Sequence, residues 1–392
     1  MEQKIRYIDS SGELAAFCQR LAGCEWLAID TEFVREKTYY PQLCLLQVAA
    51  PCPPTAPEEL EVACIDPLAL TNIDPLLNLL YDTSITKVLH AARQDMEILY
   101  HLRETVPRPL FDTQLAATLL GFGDQIGYGA LVQAVLSVSL DKAHARTDWS
   151  ARPLHEDQIS YAADDVIYLA RLYPKMRGQL AAQQRLEWLQ EDFDALSDNG
   201  TYRIEADETW RRVAGRSKLK GVQLAALQQL GAWREREAQR RDKPRRWILA
   251  DDVLLALARA MPRSKQEITR LRGLPSAFVE RHSNTVLEMI ATARELPKSK
   301  WPETSAHRRL DPNQEALGDA LMALLRLRAA EHRVSPTALA TRREIEQILC
   351  GDREVSLLHG WRAAIVGEDV RAFVEGRLVL KSVNGELQAA AP

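Results

Sequence analysis

Two carboxylates near the N-terminus, Asp30 and Glu32, directly follow the apolar run Trp26–Ile29. Four successive apolar residues are typical of a strand buried on both faces. Because side chains alternate along a strand, Asp30 and Glu32 leave it on one side and Thr31 on the other. Two like charges this close repel each other unless a cation lies between them. The pair therefore suggests a metal site, although the triplet alone is more typical of a solvated strand end.

Two later stretches supply further acids in similar positions. Asp95 follows the predicted strand Lys87–His90 and falls in the first turn of a helix. The helix dipole favours a carboxylate there, so capping alone explains it. Tyr161 and Asp165 are four residues apart and share one face of a helix. A phenol one turn before a carboxylate is unexpected on a packing face. Asp95 also lies at a sheet edge, where α/β enzymes build active sites.

The elements that must position these residues alternate between strand and helix patterns. Strands are predicted at Ile5–Ile8, Leu43–Ala49, Val62–Ile65 and Lys87–His90, with helices after Ser10 and Asn72. This interleaving predicts an α/β layer with a central sheet. The segment Ala50–Glu59 contains four prolines and is expected to be an irregular loop.

Composition limits the class of protein. The chain has 392 residues, 46% hydrophobic and 27% charged, which predicts a soluble globular protein of two or three domains. Apolar runs are too short to span a membrane and the first residues do not resemble a signal peptide, so we expect a cytoplasmic protein without a membrane partner. The six cysteines show no Cys-x-x-Cys spacing, which argues against zinc and disulfides.

Charge is distributed unevenly. Residues 1–205 carry 17 basic and 30 acidic residues, residues 206–300 carry 21 and 11, and residues 301–392 carry 12 and 13. An acidic part joined to a basic segment suits an enzyme that holds cations in one domain and a polyanion in the next. The loop containing Lys142, Arg146 and Trp149 could also stack on a base and contact phosphate, although an ordinary exposed loop fits as well.

The second half of the chain is predicted to be helical, with a weak internal repeat. Pro244 corresponds to Pro336 and Gly273 to Gly360, an offset of about ninety residues. The pattern indicates two small helical bundles in tandem, of which only the first is basic.

Longer stretches around the acids resemble a known family. Asp30-x-Glu32, Asp95 and Tyr161-x-x-x-Asp165 look like the three exonuclease motifs of the DEDD superfamily in its tyrosine-bearing branch. The stretches Ile29–Arg35, Tyr39–Gln47, Arg146–Trp149 with Arg152–Leu154, and Tyr161–Asp165 are similar to bacterial ribonuclease D. The two helical bundles resemble the helicase-and-RNase-D C-terminal (HRDC) domain.

The resemblance implies a ribonuclease H-like α/β catalytic domain, a mixed five-stranded sheet flanked by helices, followed by two all-α HRDC bundles. We expect domains at residues 1–205, 206–300 and 301–392. The implied activity is 3′–5′ exoribonuclease action with two divalent cations, Mg²⁺ or Mn²⁺, releasing nucleoside 5′-monophosphates. The implied partners are tRNA precursors and other structured RNAs, bound by a monomer.

The implied roles of the site residues follow. Asp30 would bridge the cations, Glu32 and Asp165 would hold the cation that activates water, Asp95 would support the other through water, and Tyr161 would orient the attacking water. Candidate substrate contacts are Phe33, Gln42, His90, Lys142, Arg146, Trp149, Arg240, Arg241, Lys243, Arg245 and Arg246.

Three alternatives remain open from the sequence. The chain could be an inactive RNA-binding scaffold, a helical adaptor with a structural N-terminal domain, or a DNA-directed exonuclease. No Gly-x-x-x-x-Gly-Lys phosphate loop occurs, which excludes a fused helicase.

Overall fold

The chain folds into two compact units. In the computed structural model, residues 3–51, 59–141, 147–303 and 310–392 are described. The first unit comprises Met1–Phe33, Leu43–Thr201 and Arg308–Pro392, and the second comprises Val34–Gln42 and Tyr202–His307. The three predicted domains are thus distributed over two units. No helix in the described part of the chain combines the length and apolarity needed to cross a membrane.

A six-stranded mixed sheet forms the centre of the first unit. Its strands are β1 (Ile5–Ile8), β2 (Trp26–Val34), β3 (Gln42–Pro51), β4 (Leu60–Ile65), β5 (Thr86–Leu89) and β6 (Leu110–Asp112). The spatial order is β1-β4-β3-β2-β5-β6. Strand β2 pairs in parallel with β5, whereas β3 and β4 are antiparallel. The expected count of five strands was wrong because the three-residue β6 adds to the edge, next to β5.

Helices flank this sheet. They are α1 (Ser11–Arg20), α2 (Asp74–Leu80), α3 (Arg93–Arg103), α4 (Thr113–Leu119), α5 (Tyr128–Leu136), α6 (Glu156–Ala182), α7 (Gln190–Leu196) and α8 (Asn199–Tyr202). The side chain of Ser10 caps α1, as predicted from its sequence. The buried, apolar run of β2 lies at the middle of the sheet, so the acids at its end are held by a rigid element.

The second unit is an all-helical bundle joined by one distant segment. Its helices are α9 (Val222–Arg241), α10 (Arg245–Ile248), α11 (Asp251–Ala260), α12 (Lys265–Thr269) and α13 (Ser276–Glu295). Trp210, fully buried, lies in its core with apolar residues of α9, α11 and α13. The segment Val34–Gln42 belongs to this unit because Tyr39 is buried against α9. The Tyr39 hydroxyl donates to Glu235, and the amides of Tyr39 and Tyr40 donate to Asp242 at 2.9 and 3.1 Å.

The C-terminal bundle (residues 310–392) repeats this order of elements. It contains α14 (Pro312–His332), α15 (Pro336–Leu339), α16 (Arg342–Leu349), α17 (Gly360–Arg362), a π turn at Ala363–Gly367 and α18 (Glu368–Val374). The expectation that this bundle is all-α was wrong, because a hairpin of β7 (Val379–Val383) and β8 (Glu386–Ala390) follows. Gly273 and Gly360, matched in the sequence repeat, both have positive φ, at 86° and 53°.

Within the first unit, the C-terminal bundle packs against residues 118–192. The indole rings of Trp188 and Trp361 stack with centroids 4.8 Å apart and planes 3° apart. Arg362 is buried and donates from Nη2 to both carboxylate oxygens of Asp192, at 3.1 and 2.9 Å. The amide of Ser335 donates to the carbonyl of Thr118 at 2.8 Å. These contacts make the C-terminal bundle part of the same compact unit as the sheet.

Candidate active site

Three of the four predicted acids converge on one place. Carboxylate oxygens of Asp30, Glu32 and Asp165 lie within 4.8 Å of one another. Asp30 and Glu32 meet there because alternation along β2 directs them to one side. Asp165 reaches the same place from the middle of α6, and all three residues are partly buried. Helix and strand periodicity thus produce a cluster of acids from residues more than a hundred positions apart.

The fourth acid, Asp95, lies beside this group without belonging to it. It is buried in the first turn of α3 and accepts a hydrogen bond from the hydroxyl of Thr31 at 2.5 Å. Thr31 is the residue between Asp30 and Glu32, so strand β2 carries two of the acids and holds Asp95 through Thr31. A ligand role of Asp95 through water, rather than by direct contact, is compatible with this position and stays a prediction.

Crowding and burial keep these acids from ionising easily. Desolvation, followed by the charges of Asp95, Asp165 and Glu32, raises the pKa of Asp30 well above its ordinary value. Burial and then the neighbouring acids raise the pKa of Glu32 to about 8. Desolvation raises the pKa of Asp165 to about 7, and that of Asp95 to about 6 against the opposing hydrogen bond from Thr31.

The composition of the group fits a hard divalent cation. Three oxygen donors with no histidine or cysteine among them favour Mg²⁺ or Mn²⁺ over zinc. A cation would also remove the mutual repulsion that raises these pKa values. A structural role without a cation would leave several buried carboxylates uncompensated, which is energetically costly.

Tyr161 stands one turn before Asp165 on α6 and is held by an aromatic neighbour. The ring of Trp149 stacks on Tyr161 with centroids 6.4 Å apart and an interplanar angle of 27°. Burial, and then the charges of Asp165, Glu32 and Asp30, raise the pKa of Tyr161 to about 12. The phenol therefore stays protonated near neutral pH and can donate a hydrogen bond.

The predicted role of Trp149 as a base-stacking surface was wrong. Its indole is only 4% exposed because it packs against Tyr161. Arg152 donates a hydrogen bond to the backbone carbonyl of Trp149 at 2.8 Å and two to the buried carboxylate of Asp66, at 2.6 and 2.7 Å. Trp149 therefore packs beside Tyr161, and Arg152 fixes the backbone of Trp149.

Tyr128 at the start of α5 was missed by the sequence reasoning. Its hydroxyl donates to the backbone carbonyls of Asp164, at 3.1 Å, and Asp165. This contact ties α5 to the turn of α6 that carries the active acid. Its only signal in the sequence was the preceding glycine-rich stretch Gly121–Gly127, which does not identify a partner.

Comparison with known proteins agrees with this geometry. Residues 5–181 match a family model described as 3′-5′ exonuclease, and residues 223–290 match one described as HRDC domain. The ribonuclease D of Sphingobium indicum is 40% identical over 97% of both chains, and that of Gluconacetobacter diazotrophicus is 39% identical over 95% of this chain and 93% of its own.

The chain belongs to the ribonuclease D family. The crystal structure of Escherichia coli RNase D superposes with a TM-score of 0.81 and 32% identity, covering 96% of this chain and 99% of that one. The protein is accordingly a 3′–5′ exoribonuclease of ribonuclease D type. Enzymes of this type use divalent metal ions, for which the acidic group described above offers ligands.

The remaining candidate substrate contacts near the sheet have varied surroundings. Phe33 is partly buried and Gln42 is exposed, and their contacts with RNA stay predictions. Lys142 and Arg146 lie outside the described residues. The ring nitrogens of His90 lie 3.0 Å from the hydroxyl of Thr113 and 3.1 Å from the carbonyl of Ile126, and its contact with substrate stays a prediction.

The predicted basic cluster of the second unit is partly neutralised by its own acids. Arg240 and Arg241 both pair with Glu237, and Arg245 pairs with the buried Glu235 through bonds of 2.5 and 2.8 Å. Of the five cluster residues, Arg246 has the most exposed ion-paired side chain, at 81%, and lies 3.9 Å from Asp251. Lys243 is also exposed. Contact of the five with RNA stays a prediction.

Proposed function

We propose that the protein hydrolyses the 3′-terminal phosphodiester of RNA with the help of two divalent cations, Mg²⁺ or Mn²⁺. The observation that carries this proposal is the approach of Asp30, Glu32 and Asp165 within 4.8 Å of one another. In the reaction a bond forms between a water oxygen and phosphorus, and the bond from phosphorus to the 3′ oxygen of the penultimate nucleotide breaks. The products are a nucleoside 5′-monophosphate and an RNA shortened by one residue.

The acids and the phenol have separate tasks in this proposal. Asp30, Glu32 and Asp165 would hold the cations, and Asp95, which accepts a hydrogen bond from Thr31, would support them through water. Cations of this kind lower the pKa of an attacking water and offset negative charge on the attacking and leaving oxygens. Tyr161 orients the water by hydrogen bonding, because a phenol with a pKa of about 12 is a poor base at neutral pH.

The substrates that we propose are tRNA precursors and other structured RNAs with 3′ extensions. The Escherichia coli relative, 32% identical along almost the whole chain, is described as an exoribonuclease involved in structured RNA processing. We further propose a catalytic domain at residues 1–205 followed by two HRDC domains at 206–300 and 301–392. The repeated order of α9–α13 and α14–α18 supports the second HRDC domain. Action as a monomer in the cytoplasm completes the proposal.

The test is degradation of an RNA carrying a 5′ label, with Mg²⁺, with Mn²⁺ and with a chelator. We expect products shortened one nucleotide at a time from the 3′ end, release of 5′-monophosphates, and a loss of at least about 10³-fold in rate for Asp30→Asn. Asp164→Asn is the matched control, since Asp164 adjoins Asp165 but is outside the acidic group.

The proposed chemistry and two of the alternatives have separate outcomes in this assay. Degradation that is equally fast in Asp30→Asn, or that survives chelation, contradicts the proposed chemistry. RNA binding without any turnover of the wild type would favour the inactive scaffold. A DNA strand of the same sequence that is degraded faster than the RNA would favour a DNA-directed exonuclease.

A further inference from the structure

A cavity of about 580 Å³ lies within the second unit. Its lining includes Arg35, Tyr39, Arg212, Arg245, Arg246 and Trp247. The volume falls in the range of roughly 300–1,000 Å³ that is common for small-molecule sites. One wall comes from the segment that follows β2 and the others come from residues 209–251 of the helical bundle.

Part of this lining is structural. Arg245 lies over the ring of Tyr39 at 5.0 Å and pairs with Glu235, which is fully buried. Arg234, which is also buried, pairs with Asp251 at 2.6 Å and so neutralises one of the two acids that line the cavity. These pairs build rigid walls and leave other side chains to meet a ligand.

The side chains that remain available are an aromatic ring and two guanidinium groups. Trp247 lies outside the apolar core of its bundle and is 61% exposed, which is unusual for so large an aromatic side chain. Arg246 adjoins it with 81% of its side chain exposed, and Arg212 on the same lining is exposed. An exposed aromatic face beside arginines is the combination with which proteins hold single-stranded nucleic acid, by stacking and by charge.

We propose that this cavity binds one nucleotide unit of single-stranded RNA, with the base on Trp247 and phosphate against Arg212 and Arg246. The proposal rests on the proposed function, since RNA is the ligand it names, and it adds a holding site that the acids of the sheet do not provide. It moves the main RNA contact of the second unit away from Arg240 and Arg241. Those two arginines share Glu237, whereas the cavity carries five arginines against two acids, Glu36 and Asp251.

The experiment measures binding without turnover. The full-length chain carrying Asp30→Asn is titrated against a fluorescent single-stranded oligoadenylate and against a strand of equal length made of abasic residues. We expect Trp247→Ala to weaken oligoadenylate binding about ten-fold, in line with stacking on one base, and to leave the abasic strand unaffected. Trp247→Phe should retain most of the affinity, which separates loss of stacking from loss of folding.

The contribution of the two arginines is tested by removing both charges and comparing the result with the same loss of charge outside the cavity. Arg212→Ala with Arg246→Ala should weaken both strands and lower the slope of log affinity against log salt by about 1.4, the value for two phosphate contacts on a single strand. The control pair is Arg272→Ala with Arg281→Ala, which removes the same charge from exposed positions of the same unit outside the cavity. It should change affinity less than two-fold.

Three results would overturn the site. The first is an equal loss of RNA affinity in the control pair, and the second is an unchanged affinity of Trp247→Ala for oligoadenylate. The third is displacement of the labelled oligoadenylate by polyglutamate as readily as by unlabelled oligoadenylate. The last would identify an acidic peptide as the preferred ligand. If the wild type failed to degrade RNA at all, the proposed function would fall, while these binding results would still decide whether the cavity holds RNA.

Discussion

The metal-free protein should lose stability as the pH rises from 5 to 8. In the folded state the pKa of Asp165 is raised from its ordinary 3.8 to about 7, and that of Glu32 from 4.5 to about 8. The folded state therefore holds protons that the unfolded state has already released. The stabilisation of the folded state by these bound protons is complete below about pH 4 and is lost as the pH passes through 7 to 8.

The size of the effect follows from the shift of Asp165. Three pKa units at about 1.4 kcal/mol each give about 4 kcal/mol between pH 4 and 7, of which about 3 kcal/mol is lost between pH 5 and 8. Because the acids titrate as a coupled set, the contribution of Glu32 does not simply add to this figure. Added Mn²⁺ or Mg²⁺ should restore stability, with a benefit that increases with pH, since cations and protons compete for the same oxygens.

Urea unfolding at pH 5, 6, 7 and 8, with a chelator or with Mn²⁺, measures the effect. Calorimetric titration with Mn²⁺ at pH 6 in two buffers of different ionisation enthalpy should count about one to two protons released per molecule. Asp165→Asn should flatten the pH dependence, whereas Asp157→Asn, an exposed acid on the same helix, should leave it unchanged. Metal-free stability that is constant or rises between pH 5 and 8, or cation binding without proton release, would refute the reasoning.

Three further predictions concern single groups. In steady-state assays, Tyr161→Phe should lower kcat about 100-fold and preserve the shape of the pH-rate profile, because the phenol positions water without titrating. Loss of the alkaline limb of that profile would instead show that Tyr161 acts as the base. Arg362→Ala should destabilise the first unit by about 2 kcal/mol in urea unfolding, because the partly buried Asp192 loses charged hydrogen bonds from a buried guanidinium. Arg371→Ala, at an exposed ion pair, should cost less than about 1 kcal/mol. Neutralising Arg240 and Lys243 together should reduce RNA affinity and its salt dependence modestly; an unchanged salt slope would show that neither contacts phosphate.

Much of the first half could be predicted because its signals are local. The buried run before Asp30 fixes a central strand, and alternation then directs Asp30 and Glu32 to one side. The spacing of Tyr161 and Asp165 correctly indicated a shared helix face. Convergence of the two elements could be inferred only from resemblance, since nothing local to α6 specifies its distance from β2.

What escaped prediction depends on long-range contacts. The bond of Thr31 to Asp95 spans 64 positions, and the grip of Arg152 on Asp66 spans 86. Nor does the composition of the loop before α6 distinguish an exposed tryptophan from Trp149, which is buried. One feature was within reach of the sequence, because Glu237 precedes Arg240 and Arg241 by three and four residues, the spacing of helical ion pairs.

The first unit is discontinuous, and this has a consequence for how the chain matures during synthesis. Arg362 meets Asp192 across 170 positions, with the helical part of the second unit, Tyr202–His307, encoded between them. At elongation rates of roughly 5–20 residues per second, a ribosome delivers the covering bundle roughly 10–30 s after the sheet. During that interval Trp361 has not yet been made, so the face of Trp188 that it covers stays exposed on the nascent chain. An exposed aromatic surface of this kind is one that a chaperone binds.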